Sequence, residues 1–417
     1  VTVTMVSAHT RISSWITGTA NIITISGGTI GTAQGGVGNA SGGSGILGKT
    51  MEILAGTIQK AIGGNSTGTG ENDTGGDGIS ASKFTISGGE IQQATGGASE
   101  KYGGSGIYSG GKLFISGSAD IINAKGGIGQ TTGGSGIYSY GGLTISGGKI
   151  EQATGGASTD GTGGYGIRSG SMLTISDSAN ITNATGGSGR SGGHGLYGTA
   201  MKIISSTIGT AKGGEGKTSG GNGIYGVGKL TISDGAAITN ATGGNATSID
   251  GTGGSGIFSD GELSIYSATI TNATGGDADN GTGGSGIRGD GSSDDFKLYI
   301  YSTTIENATG GDGKRGGSGI FGKTMEIISS AIKAIGGRAT GEGDYTGGAG
   351  IVGKESLTIE GRTTVQATGG DADSGTGGSG IFSDRSLSIS GGAINATGGS
   401  GKSGGAGIAS SGTVSIS

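Results

Sequence analysis

The sequence predicts an all-β fold: a single-domain parallel β-helix of about thirteen coils of ~30 residues, with three short strands per coil. Three observations predict it. The string Gly-Gly-x-Gly-Ile/Leu recurs thirteen times, its aliphatic residue running from Ile46 to Ile408 at intervals of 27 to 33 residues. Between recurrences, apolar residues alternate with Thr or Ser, as in Leu143 and Ile145 or Leu387 and Ile389, which is the period of a strand with one buried face. Nowhere is a 3.6-residue apolar period sustained over ten residues, so helix is not expected.

Composition narrows the class further. Glycine fills 109 of 417 positions, with no proline and no cysteine. Disordered chains are rich in proline and charge, whereas charged residues make up only 13% here. Collagen needs glycine at every third position, which this chain lacks. Hydrophobic content of 30% is thin for one globular core of this length, and suits many small cores stacked in series. No apolar run approaches the length of a membrane span. The net charge of −5 gives no electrostatic case for nucleic acid. Without cysteine there is no disulfide framework and no Cys-based metal or redox site.

Each coil holds three apolar patches. The first is the Gly-Ile anchor. The second is the alternating Leu-Thr-Ile-Ser strand. The third places one aliphatic residue before Ala-Thr-Gly-Gly, as at Ile150, Ile181, Ile238, Ile270 and Ile305. Glycine corners between patches are expected to take positive φ. Ordering so many glycines costs about 0.5–1 kcal/mol each relative to alanine, so geometry must require them. Coils stacked at the ~4.8 Å interstrand spacing predict a rod roughly 60 Å long. Length variation concentrates between the Gly-Gly after the third patch and the next Gly-Gly, which marks a projecting loop.

The Gly-Ile, Leu-Thr-Ile-Ser-Gly-Gly and Ala-Thr-Gly-Gly cadence of residues 23–417 resembles the repetitive, Gly-rich, right-handed β-helix regions of bacterial secreted and surface proteins, an architecture shared with pectate-lyase-like proteins and adhesin passengers. That resemblance implies fold and an extracellular or cell-surface setting. The start at Val1, without Met or an apolar signal segment, reads as a processed N-terminus, in keeping with export.

Several motifs dissolve on inspection. Gly43–Thr50 and Gly317–Thr324 match the phosphate-loop pattern, but both lie inside the repeat and lack the strand before and helix after. The calcium β-roll needs a carboxylate where Tyr108, Tyr138 and Phe258 stand. Asp277-Ala278-Asp279 and Asp371-Ala372-Asp373 read as solvated turns, with oxygen ligation of calcium as the alternative. Arg288-Gly289-Asp290 reads as a coincidence of the template. The repeated Asn-Ala-Thr sequons, at Asn183, Asn240, Asn272, Asn307 and Asn395, suggest a stacked ladder before glycans. With two histidines and no coil concentrating Asp with Lys or Arg on a strand, enzyme chemistry is not expected, nor is a cofactor or a metal.

Two features carry the functional expectation. The position after the Gly-Ile anchor collects Tyr108, Tyr138, Arg168, Tyr197, Tyr225, Phe258, Arg288, Phe321 and Phe382 in an outward stripe, read as a structural ladder, a contact between neighbouring rods or a sugar platform. The second feature is the ends. Residues 1–22, with Val1, Val3, Met5 and Trp15, form an N-terminal cap or a strand segment given to another subunit. The coil with Ile408, Val414 and Ile416 lacks its third patch. The expected function is a structural subunit of an extracellular fibre, self-assembling head to tail as a homopolymer. The alternative is a surface adhesin or carbohydrate-binding β-helix.

Overall fold

A computed structural model describes residues 2–5, 9–10, 22–291 and 296–417; among them there is no helix. The chain forms two compact units, Val1–Lys202 with Ser206–Gly209 and Ile203–Ser205 with Thr210–Ser417. Each is a parallel β-solenoid, and together they carry about thirteen turns.

The alternating pattern becomes columns of like residues. In the first unit the first strands stack Ile107 on Ile137 on Ile167. The second strands stack Leu113, Leu143 and Leu173, with Ile115, Ile145 and Ile175 beside them. The third strands stack Ile121, Ile150 and Ile181, then Ala124, Ala153 and Ala184. The second unit repeats this with Leu263, Leu298, Met325, Leu357 and Leu387. These side chains are 0–1% exposed. Burying one such Leu or Ile is worth roughly 1.5–3 kcal/mol, but only once the turns above and below exist.

A buried hydroxyl column runs beside the aliphatic ones. Ser109, Ser139, Ser169, Ser259 and Ser383 are wholly buried. Ser139 Oγ donates to the carbonyls of Gly111 at 2.8 Å and Gly142 at 3.0 Å, and Ser169 Oγ does the same to Gly141 and Met172. The hydroxyl thereby satisfies carbonyls at the corner between first and second strands, which would be costly to bury unpaired.

The glycines serve a different purpose from the one expected. Positive φ occurs mainly at one corner, between second and third strands, at Gly28, Gly89, Gly117, Gly147 and Gly361 among others, with Asp177, Asp234, Ser267, Ser302 and Ser329 there in other turns. The Gly-Gly pairs on either side of the variable loop are absent from that set. They lie where the chain leaves the third strand and where it re-enters the first, and these two passages meet. Gly97 N–H donates to Gly76 O, Gly104 to Gly97, Gly127 to Gly104, Gly134 to Gly127 and Gly156 to Gly134, all at 2.7–2.9 Å. In the second unit the chain of bonds runs from Gly221 on Gly214 through to Gly405 on Gly399. A Cβ on almost any of these residues would overlap a neighbouring glycine carbonyl. The requirement is close approach of backbone to backbone, and only glycine meets it.

This seam pinches each turn into two lobes. The larger holds the three-strand core. The smaller is the variable loop, which is itself stacked: Thr74, Tyr102, Thr132, Thr162 and Ser191 form parallel bridges in one unit, and Thr346, Thr376 and Ser403 in the other. Its interior is lined by small residues, with Ser99, Ser158, Ala246, Ala278 and Ala339 buried.

At the N-terminal side, Thr2–Met5 lies parallel to Ile22–Ile25, and His9–Thr10 lies against Thr29–Ile30. Val3 and Met5 are therefore placed on the chain's own second-strand column. Val1 and Trp15 lie outside the described residues.

Substituting the seam separates close approach from turn geometry. Gly127→Ala, whose methyl would overlap the Gly97 carbonyl, should destabilise by about 3 kcal/mol or more. Gly27→Ala, with nothing near its Cβ, should leave the thermal midpoint within error. Equal midpoints for the two variants would refute the seam's role.

Candidate functional site: the aromatic stripe and an adjoining groove

The stripe follows from strand alternation. Ile points in, the next residue out, and Ser in again. Because turns repeat at roughly the thickness of a ring stack, identical positions bring rings together. In the first unit the Tyr108 and Tyr138 ring centroids are 5.4 Å apart. The Arg168 guanidinium carbon lies 4.6 Å from the Tyr138 centroid and 5.8 Å from that of Tyr197. In the second unit Tyr225 and Phe258 stack at 5.1 Å with planes 2° apart. Arg288 sits 5.4 Å from both Phe258 and Phe321. Phe382 follows in register through Val352.

The Tyr225–Phe258 stack and the arginine contacts turn ring faces toward the neighbouring turns, while the Tyr108 and Tyr138 planes are tilted 55° to each other. The stripe is an internal ladder of rings and guanidiniums, and what it offers outward is ring edges and hydroxyls. A flat sugar platform along its whole length does not form.

Sequence reading missed two members of the cluster. Tyr165 and His194 occupy the variable position of Gly-Gly-x-Gly-Ile/Leu, a second column beside the first. Arg168 lies 5.0 Å from the Tyr165 centroid, Tyr165 and Tyr197 are 4.9 Å apart, and His194 stacks on Tyr197 at 5.9 Å. Their signal was present in the sequence: this column is mostly Ser, and Asp77, Tyr165, His194 and Asn222 depart from it.

The two arginines differ in partner. Arg288 Nη2 pairs with Asp290 at 2.9 Å, so the Arg-Gly-Asp tripeptide is closed on itself around the buried Gly289. Arg168 has Gly170 in the matching place and makes no ion pair among the described residues. The Nε of both arginines is buried without a hydrogen-bond partner.

Beside the stripe in the first unit runs a groove of about 390 Å³. One wall is Tyr108 and Tyr138, the other Tyr102 and Thr132 from the smaller lobe, and Ser105 and Ser135 lie between them. Asp77 stands toward one end and Arg168 toward the other. Burial pushes the Asp77 carboxyl up to about 6, against the opposing effect of hydrogen bonds from the Ser105 amide and the Ser80 hydroxyl. Burial, then the Arg168 charge, holds His194 down at about 3.

The remaining motifs resolve structurally. The amides of the phosphate-loop look-alikes are committed: Gly43 N–H to Gly36 O, Gly45 N–H to Asp77 O, Gly317 N–H to Gly311 O. The acidic loops are not loose turns, since Ala278 and Ala372 are buried. Asp277 Oδ1 accepts from the Asp312 amide at 2.8 Å, Asp312 Oδ1 from Arg338, and Asp371 Oδ1 from Ser400. Among the described residues no group of three or more His, Cys, Asp and Glu is placed to hold a metal. Asn272 Nδ2 donates to Asn240 Oδ1 at 3.1 Å, and Asn307 Nδ2 to Asn272 Oδ1 at 3.2 Å, so three sequon asparagines are joined in a ladder.

No family model matches the chain, and no curated protein or solved structure matches it either.

Asp77 and His194 oppose each other with pH. His194 titrates far below its unfolded value near 6.5, so stability falls as pH drops from 6.5 toward 3. Asp77 titrates above its unfolded value of 3.8, so stability rises as pH falls through about 6 toward 4. His194→Phe should raise the thermal midpoint more at pH ~4.5 than at pH ~8, and Asp77→Asn should do the reverse, each by roughly 1–3 kcal/mol. Parallel shifts at the two pH values would contradict this assignment.

Proposed function

We propose that the protein is a structural subunit of an extracellular or cell-surface fibre, which grows by stacking the solenoid turns of one copy on those of the next. The observation that carries this reading is the identity of the columns from turn to turn: Ile381 pairs with Ile408, Leu387 with Val414 and Ile389 with Ile416, just as Ile107 pairs with Ile137 and Leu113 with Leu143. A surface built this way is matched by any further turn of the same pattern, and a second copy of the chain supplies such turns.

Thr2–Met5 is the complementary piece. It occupies the second-strand column, the same template position as Thr413–Ile416, and His9–Thr10 occupies that of Ala393–Thr397. Strand on strand, the two faces continue one register. Such a contact is heterologous, and heterologous contacts that do not close give open filaments. In such a contact parallel pairing between turns supplies the hydrogen bonds, and the aliphatic columns supply the apolar burial.

The 417-residue chain should form filaments in negative-stain electron microscopy, with sedimentation shifting to larger species as concentration rises. Val414→Asp with Ile416→Asp should yield folded, non-polymerising protein, and deletion of residues 1–8 should do the same from the other face. Single particles at every concentration, or filaments unchanged in both variants, would remove the fibre reading.

A further inference from the structure

We propose that the groove between Tyr102 and Tyr108–Tyr138 in the first unit binds a short glycan carrying a single carboxylate, the acid seated at Arg168 and a neutral sugar at Asp77. This goes beyond the fibre reading and does not depend on it.

Charge comes first. Arg168 is a half-buried guanidinium with no ion pair among the described residues, whereas Arg288, at the same template position, holds Asp290; the Nε of each is buried without an acceptor. The guanidinium fork of an arginine without a counter-ion suits a carboxylate, bound through charge-assisted hydrogen bonds. At the other end the Asp77 carboxyl accepts from Ser105 N–H and leaves lone pairs for a hydroxyl donor. The two ends lie three turns apart, Ile79 to Ile167 in the anchor column, or about 14 Å at the interstrand spacing. That is the reach of a short oligosaccharide, and the volume falls in the range of small-ligand sites.

The lining then selects the class. Backbone groups along the walls are committed between turns: Gly75 N–H to Tyr102 O, Gly103 N–H to Thr132 O, Gly106 N–H to Ser135 O. An extended peptide binds by pairing with a row of free backbone groups, and the bonds between turns leave no such row here. What the groove offers is side-chain hydroxyls of Ser, Thr and Tyr together with aromatic edges, a surface for a ligand that is polar at its rim and apolar on its faces. The opposite charges at the ends discriminate among glycans. A polyuronate would bring a second carboxylate against Asp77, and like charges at close range repel. A neutral glycan forgoes the Arg168 contact.

Isothermal titration of the intact chain with sialyllactose, cellotriose and trigalacturonate tests this. Saturable binding of sialyllactose is expected, at least about tenfold tighter than either of the others, the worth of one charge-assisted contact. Arg168→Gln should abolish that margin, Arg168→Lys should keep part of it, and Arg288→Gln should leave it intact. Asp77→Asn should narrow the margin over trigalacturonate. If Arg168→Gln fails to fold by circular dichroism, the Lys and Asp77 variants decide. No binding of sialyllactose, equal or tighter binding of trigalacturonate or cellotriose, or a margin indifferent to Arg168 and Asp77 would overturn the proposal.

Discussion

Contact between glycine backbones at the neck of each turn is the constraint on which the rest of the architecture depends. Two passages of the chain must cross at a distance that leaves no room for a methyl group. Once they do, the chain before the neck is committed to the three-strand lobe and the chain after it to the smaller lobe. The neck therefore sets the position of the first-strand anchor, and through it the register of every column. Hydrogen bonds linked head to tail polarise one another, so the seam gains strength with each added turn. A single turn has no such seam, which is why stability in this architecture belongs to neighbours and not to repeats taken alone.

Register at the neck explains the side-chain ladders. With Ile fixed on Ile, the next residue can only meet its own counterpart one turn away. Aromatic rings there stack at their natural separation, arginines slot between them, and a serine below satisfies the corner carbonyls. The same logic applies to the asparagines of Asn-Ala-Thr, whose amides bond along the stack. Departures from the repeat then acquire meaning. Tyr165 and His194 widen the ring cluster around Arg168, and Asp77 places a carboxyl where other turns have serine. All three departures sit in one column of the first unit, and Asp77 lines the groove that has Tyr108 and Tyr138 on one wall and Tyr102 on the other.

The strands were legible because burial on one face imposes a period of two, and Leu143, Ile145 and Ile150 display it openly. The outward direction of Tyr138 followed from the inward direction of Ile137. The glycine pairs were legible as punctuation but not as contacts. Gly-Gly reads as a flexible corner from local preference alone, and its real partners lie across the smaller lobe, as Gly97 does for Gly104, and in the neighbouring turn, as Gly76 does for Gly97. Ala153 and its column were unremarkable for a related reason: a small residue beside a crowded neck carries no periodic signal. The buried serines were hidden as well, since Ser between glycines looks like a loop until the carbonyls it serves are in place. The cluster around His194 was hidden because its companions, Tyr165, Arg168 and Tyr197, come from two different template columns.

The direction of the seam has a consequence for symmetry. Along each unit, the second glycine of each pair gives its N–H to the preceding passage and its carbonyl to the following one. Ordinary parallel strands send successive amides to alternating sides, so their polarity largely cancels. The seam's does not, and in this respect it behaves as a helix does. One end of such a seam is a donor and the other an acceptor. Two like ends brought together would set carbonyl against carbonyl or amide against amide at the most crowded point of the cross-section. A mirror-fashion, two-fold pairing of turn faces is thus disfavoured at its centre, whatever the side chains around it offer. Any stacking of turn upon turn would have to follow the direction that the backbone sets.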